Sequence, residues 1–207
     1  MSYPRKLLIA TTNPRKGAEM AQILGAADLG LEFATLADFP DMPPVEETEE
    51  TFLENARLKA EAAARHSGLV AIADDGGLVI DALGGQPGVH SHRFLGEATT
   101  FPEKMAAILD KMRDVPEAGR ACRFQCAVVI ATPAGAAVSC MGTCEGQTAR
   151  EMRGAFGFGY DPIFLLPALG RHMAELPPEE KHRISHRGQA LACAVAALRK
   201  LFAERQE

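Results

Sequence analysis

The segment Val70–Asp81, VAIADDGGLVID, sets two adjacent carboxylates, Asp74 and Asp75, between two apolar runs and follows them with Gly76 and Gly77. Neighbouring carboxylates repel, and a bound cation is the natural compensator where a buried strand stops. Asp-Asp-Gly-Gly is also good turn chemistry, so the same residues fit a plain corner between two strands. If the strand stays regular through the pair, successive side chains point to opposite faces, and the two aspartates cannot both address one ligand.

Four further stretches carry residues suited to one kind of ligand. Thr11, Thr12, Asn13, Pro14, Arg15 and Lys16 lie between a strand pattern and a helix pattern. A helix N-terminus presents N–H groups and a positive dipole end, which suits phosphate, and Lys16 adds a full charge one turn in. The glycines and Lys-Ser/Thr pair of a Walker A loop are missing, and an ordinary capped helix fits the same residues. In VEETEETFLENARLKAEAAA, Asn55 and Lys59 share a helix face at i, i+4, with Glu46 and Glu47 upstream. A solvated face, with Lys59 pairing Glu54 or Glu61, is the plain alternative. In FGFGYDP (156–162) glycines alternate with aromatics and leave room for a flat ring against Phe158 or Tyr160; stacking a base there is worth ~1–3 kcal/mol. EKHRISHRGQAL gathers the donors of Lys181, Ser185, His186 and Arg187 just before the last helix. A phosphate cradle, a carboxylate cluster, an aromatic slot and a donor-rich segment together describe a nucleotide site.

These residues need elements to place them. Lys6–Ala10 reads as a buried strand; Asn13 as N-cap, Pro14 at the first position and Gly25 at the stop bound a helix directly after it. Leu31–Leu36 is a second strand. After a Pro/Asp loop, Phe52–His66 is a strong helix with a Thr51/Glu54 capping box and Gly68 at its close. Leu69–Ala73 and Leu78–Leu83 flank the aspartate corner, GGQPGVHSHRFLG is loop, and Glu103–Arg113 is a short amphipathic helix. A hairpin turning at TPAG follows, then the glycine-rich loop, a helical turn at Pro178–Ile184, and the longest helix, His186–Arg205. Strands alternating with helices early and a long hairpin late imply a mixed α/β sheet, in one domain that has room for two lobes.

Composition bounds the rest. The chain has 207 residues, 47% of them apolar, and a net charge of −5. It is long enough for a sizeable core, carries no apolar run of the ~20 residues that span a bilayer, and lacks the basic footprint of a nucleic-acid binder. No signal-peptide pattern opens it. Five cysteines, an odd number, fit reduced thiols in a cytoplasmic protein. Cys122 and Cys126 on one arm of the hairpin face Cys144 and Cys140 on the other in a register centred on Pro133. Cysteines four apart on a strand are roughly 13 Å apart at ~3.3 Å per residue, too far to share a zinc with bonds of ~2.3 Å, so they read as small apolar packing groups.

The chain resembles the inosine/xanthosine triphosphate pyrophosphatase family from about Leu7 to Ala192. The resemblance rests on the Thr-x-Asn-x-x-Lys loop (Thr11, Asn13, Lys16), EET…TFLENARLKA, ADDGGL, LGGQPGVHSHR, GFGYDPIF and EKHRISHRGQAL, in the family's order. It implies an α/β fold with an elongated mixed sheet flanked by helices, two lobes and a nucleotide cleft between them. It also implies a homodimer, a Mg²⁺ requirement, and cleavage of ITP, dITP or XTP to the monophosphate and pyrophosphate. On that resemblance Thr11–Lys16 hold the triphosphate, and Asn55 and Lys59 help orient it. Asp75 is the catalytic carboxylate, with Glu46 or Glu47 beside it at the metal and Asp74 turned away or reaching a supporting group. Phe158, Gly159, Tyr160, Asp161, Lys181, His186 and Arg187 form the base side.

Three positions depart from the pattern. Gly76 stands where a serine is usual and offers only backbone contacts; His92 stands for alanine in Ser91-His92-Arg93; Thr12 stands for a glycine after the first threonine. A catalytically idle nucleotide-binding protein and a pyrophosphatase of the related Maf type are the alternatives. Lys16, Lys59 and Asp75 oppose the first, and SHRGQAL opposes the second.

Overall fold

The computed structural model describes residues 3–135 and 137–203. These form a mixed seven-stranded sheet in the order β2-β1-β3-β4-β5-β6-β7 and five α-helices. The strands are β1 (Lys6–Ile9), β2 (Glu32–Thr35), β3 (Val70–Ile80), β4 (Ala121–Ala131), β5 (Ala137–Thr148), β6 (Phe164–Leu166) and β7 (Arg171–His172). The helices are α1 (Pro14–Ala26), α2 (Phe52–Ser67), α3 (Phe101–Lys111), α4 (Pro178–Ile184) and α5 (His186–Ala203). β1 pairs in parallel with both β2 and β3, whereas β5, β6 and β7 pair antiparallel.

The chain divides into two compact units. The first, residues 1–75, 126–142 and 187–207, packs Leu7, Met20, Leu24, Ile72, Val128, Leu191 and Leu198 into one core. The second, residues 76–125 and 143–186, packs Leu78, Ile80, Ile108, Met112, Phe124, Phe164 and Leu176 into another.

Local signals set the helix starts. Asn13 caps α1 by accepting from the N–H groups of Arg15 and Lys16, and Thr51 caps α2 by accepting from that of Glu54. α3 begins two residues before the expected Glu103, because Thr100 and Glu103 close a capping box around Pro102. The expected end of the last helix at Arg205 lies outside the described residues.

Two expectations are corrected. The Asp-Asp-Gly-Gly segment is no corner: β3 runs unbroken from Val70 to Ile80. Gly77 is required there by close approach, since a Cβ would overlap Ser91 Oγ and stand 2.6 Å from the Gly88 carbonyl oxygen. Nor are all five cysteines reduced. Cys140 of β5 is disulfide-bonded to Cys193 of α5, 53 residues on, while Cys122, Cys126 and Cys144 are buried free thiols. Cys193 lies outside the hairpin, so hairpin spacing alone could not show this pairing. In the chain-entropy account a loop of that length is worth ~4 kcal/mol at most. Reduction, or Cys193→Ser, is expected to lower the melting temperature of the oxidised protein by several degrees; equal melting curves with and without reductant would refute this.

Candidate active site

The first unit holds the charged residues. β1 ends at Ile9, opposite Ile72, and Ala10 N–H donates to the Ile72 carbonyl at 2.8 Å. From Ala73 onward β3 therefore outruns β1, and that edge of Asp74 and Asp75 is open to the first turn of α1. Lys16 Nζ stands 3.6 Å from Asp74 Oδ2 and 3.9 Å from Asp75 Oδ1. Strand alternation thus does not keep the two carboxylates on separate partners, because one ammonium at the strand edge reaches both.

The α1 N-terminus is closed rather than open. Asn13 Oδ1 accepts from Arg15 N–H (3.0 Å) and Lys16 N–H (3.2 Å), Asn13 carbonyl oxygen accepts from Gly17 N–H (3.0 Å), and Thr11 Oγ1 accepts from Asn13 N–H (3.2 Å). Thr12, Pro14 and Arg15 are exposed. What this turn brings to an anion is chiefly the Lys16 charge.

α2 supplies the second cation. Lys59 Nζ donates to Glu47 Oε1 at 2.5 Å and stands 3.6 Å from Asp75 Oδ1, so it lies in the cluster and not on a solvated face. Asn55, one turn earlier and fully buried, accepts from Glu49 N–H (3.0 Å) and donates to the Glu49 carbonyl (3.1 Å). Its amide fixes the loop that carries Glu47. Glu46 is exposed and Glu47 is half-buried beside Lys59 and Asp75.

Arg187, expected on the base side, lies in this unit. Its Nε and Nη2 both donate to Asp74 Oδ2 at 3.0 Å, and its Nη1 donates to Glu19 Oε2 at 2.8 Å. Glu19, one turn after Lys16 on α1, belongs to none of the sequence motifs. Burial raises the proton affinity of Asp74, but Lys16, Arg187 and Lys59 overwhelm that and hold its carboxyl well below the usual range. For Asp75 burial wins over Lys59 and Lys16, with Glu47 and Asp74 adding to the rise, and its carboxyl sits above the usual range. Burial weakens the charge of Lys59, yet Asp75, Asp74 and Glu47 more than restore it. Burial pushes the neighbouring Cys126 thiol up to about 12, so it stays protonated.

The second unit holds the aromatic and donor residues. Lys181 Nζ donates to Asp161 Oδ2 at 2.7 Å and lies 4.8 Å from the Phe158 ring centre; both charged side chains are buried. Phe158 N–H also donates to Asp161 Oδ2, at 2.8 Å. Gly157, with φ +71°, must lack a side chain, because a Cβ would overlap that oxygen. Tyr160 is a core residue: its hydroxyl donates to the Ser91 carbonyl at 2.8 Å and its ring meets Phe101 edge-on. Phe158, half-buried, is left as the aromatic suited to stacking. His186 is buried and stacks on Phe124 with ring centres 4.7 Å apart, a partner that the motif did not reveal. Gly76, half-buried in β3, and Gly159, with φ +68°, offer backbone only.

Whether a divalent cation fits can be judged from the donors. Asp74 Oδ1 and Asp75 Oδ2 are buried without a hydrogen-bond partner, which is costly unless something else satisfies them. Four carboxylates (Glu19, Glu47, Asp74, Asp75) face three cations (Lys16, Lys59, Arg187), leaving negative charge. Among the described residues no group of three His, Cys, Asp or Glu is arranged to hold a metal by itself. That combination suits Mg²⁺, which takes one or two carboxylates and completes its shell with water and phosphate.

Residues 7–197 match the Ham1 family. The dITP/XTP pyrophosphatase of Geobacillus kaustophilus is 49% identical over 187 residues, covering 90% of this chain and 91% of its own. That of Shigella flexneri is 45% identical over 197 residues, covering 94% and 98%. Among solved structures, a HAM1 protein from Coxiella burnetii superposes with a TM-score of 0.85 at 42% identity, covering 94% of this chain and 98% of its own. The nucleoside-triphosphatase, dITP/XTP pyrophosphatase, of Mycobacterium abscessus gives 0.74 at 39%, covering 91% and 98%. With likeness of this extent in both sequence and fold, the chain belongs to the Ham1 family.

Proposed function

We propose that this protein hydrolyses non-standard purine nucleoside triphosphates, ITP, dITP and XTP, to the nucleoside monophosphate and pyrophosphate, with Mg²⁺, as a cytoplasmic homodimer. The observation that carries this reading is the Lys16–Asp74–Asp75–Lys59–Glu47 cluster where β3 runs past the end of β1, in a chain of this family. Lys16 and Lys59 hold phosphate oxygens. Asp75, whose basicity burial raises, takes the proton of the attacking water. Asp75 and Glu47 are the residues that would hold Mg²⁺. When bound, the ion supplies charge neutralisation and a more acidic water. Phe158 stacks the base, and a donor set built on Lys181 and His186 favours the acceptor oxygen of a 6-oxo purine over the amino group of adenine, a mismatch of ~1–3 kcal/mol for each bond not made.

The test is pyrophosphate release from a panel of ITP, dITP, XTP, GTP and ATP, with Mg²⁺ and with chelator. Release from ITP, dITP and XTP but not from GTP or ATP, abolished by chelator, is the expected result; a protein that binds these nucleotides without cleaving any would be the idle binder instead. Lys16→Ala and Lys59→Ala are each expected to lower kcat/KM at least tenfold, about 1.4 kcal/mol, and unchanged kinetics in either would remove that residue from the phosphate site. Light scattering tests the dimer, and cell fractionation tests the compartment. No helix among the described residues is long and apolar enough to cross a membrane, and no nucleic-acid partner is proposed.

A further inference from the structure

The grip of Arg187 on Asp74 is one-sided. A guanidinium facing a carboxylate ordinarily forks across both oxygens, yet here Nε and Nη2 converge on Oδ2 alone, and Oδ1 is buried without a partner. The Arg187 side chain is 3% exposed, so Nη1 also needs an acceptor, and it finds one 2.8 Å away in Glu19 Oε2. Glu19 is itself 12% exposed at its side chain and lies one turn beyond Lys16 on α1. At that spacing it could neutralise Lys16, but its carboxylate is engaged by Arg187.

We propose that Glu19 is a positioning residue of this site: it anchors the outer edge of the Arg187 guanidinium, so that Arg187 closes on Asp74 Oδ2 only. Asp74 Oδ1 then stays unbonded, and the Lys16 ammonium, 3.6 Å from Asp74 Oδ2 and 3.9 Å from Asp75 Oδ1, stays shared between the two carboxylates. Without Glu19 the guanidinium rotates into the ordinary fork, takes Oδ1, and alters the charge that Asp74 presents to Lys16. The kinetic consequence rests on the proposed function; the geometric one does not.

The experiment pairs crystal structures of Glu19→Ala and Glu19→Gln with their kinetics, using thermal melts to confirm folding. In Glu19→Ala, Arg187 is expected to bridge both Asp74 oxygens, and kcat/KM to fall by about ten- to a hundredfold. The fall should be equal for ITP, dITP and XTP, since no base contact changes. Glu19→Gln, whose amide oxygen still accepts from Nη1, should keep the wild-type Arg187 geometry and recover most of the activity. Should Glu19→Ala fail to fold, Glu19→Asp, one methylene short of Nη1, makes the same comparison. An unmoved Arg187, wild-type kinetics in the alanine variant, a glutamine variant as impaired as alanine, or a changed ITP-to-XTP ratio each overturns the proposal. If the wild-type protein cleaves no triphosphate, the functional reading fails, and the position of Arg187 in the variants still decides the role of Glu19.

Discussion

Asp75→Asn is expected to abolish turnover, by at least the ~10²–10⁴-fold that a general base contributes, in a protein that melts at or above the wild-type temperature. The two halves have one cause. Asp75 is nearly buried, and burial outweighs Lys59 and Lys16, so its carboxyl sits above the usual range. A group whose proton affinity is higher folded than unfolded is disfavoured as an anion by folding. At neutral pH the ionised Asp75 therefore costs stability, and the neutral asparagine relieves that cost. The relief is present above the folded-state value and vanishes below the ordinary carboxylate range, where both states carry the neutral acid. Pyrophosphate release and thermal melts across pH check both halves. A variant that melts well below wild type at neutral pH would show that Asp75 is held by its cations rather than strained by burial, and residual turnover near wild type would end its role as base.

What was legible in the sequence follows the range of the forces involved. The Asn13, Thr51 and Gly68 caps act within one helical turn, and α1 and α2 stand where those residues put them. The i, i+4 spacing of Asn55 and Lys59 correctly places both on one face of α2, but not what each does there; one holds Glu49 and the other Glu47. Asp74-Asp75-Gly76-Gly77 has the local chemistry of a turn and is nonetheless strand, because pairing within the sheet outweighs a turn preference of a few residues. Gly77 serves the approach of Ser91 instead. β6 and β7, with three and two residues, are too short to show a period. Arg187 illustrates the limit most plainly. Its neighbours in sequence suggested the base, but its partners are Asp74, 113 residues away, and Glu19, 168 away. The Cys140–Cys193 bond has the same character: each cysteine looks like a small core residue until α5 is seen beside β5.

Asp74→Asn, one residue from Asp75 and the same exchange of atoms, should move stability in the opposite direction. Asp74 Oδ2 accepts both Arg187 donors and lies 3.6 Å from Lys16 Nζ, with its side chain wholly buried. Burial disfavours the anion, but Lys16, Arg187 and Lys59 outweigh it, so folding lowers the proton affinity of this carboxyl. A lowered value contributes stability that is fully present above the ordinary carboxylate value of ~3.9 and is lost as pH falls toward the folded-state value. Asparagine removes the charge that Nε and Nη2 of the buried Arg187 converge on. Breaking a buried pair by neutralising one partner costs about 3–5 kcal/mol, which for a chain of this size lowers the melting temperature by roughly 6–20 °C. The gap between Asp74→Asn and wild type should be wide at neutral pH and close as the solution is acidified below the carboxylate range. Melts of both variants and wild type across pH measure this directly. A gap that stays constant with pH would trace the loss to packing instead of charge, and an Asp74→Asn protein as stable as wild type would mean that Lys16 and Arg187 do not need the anion they surround.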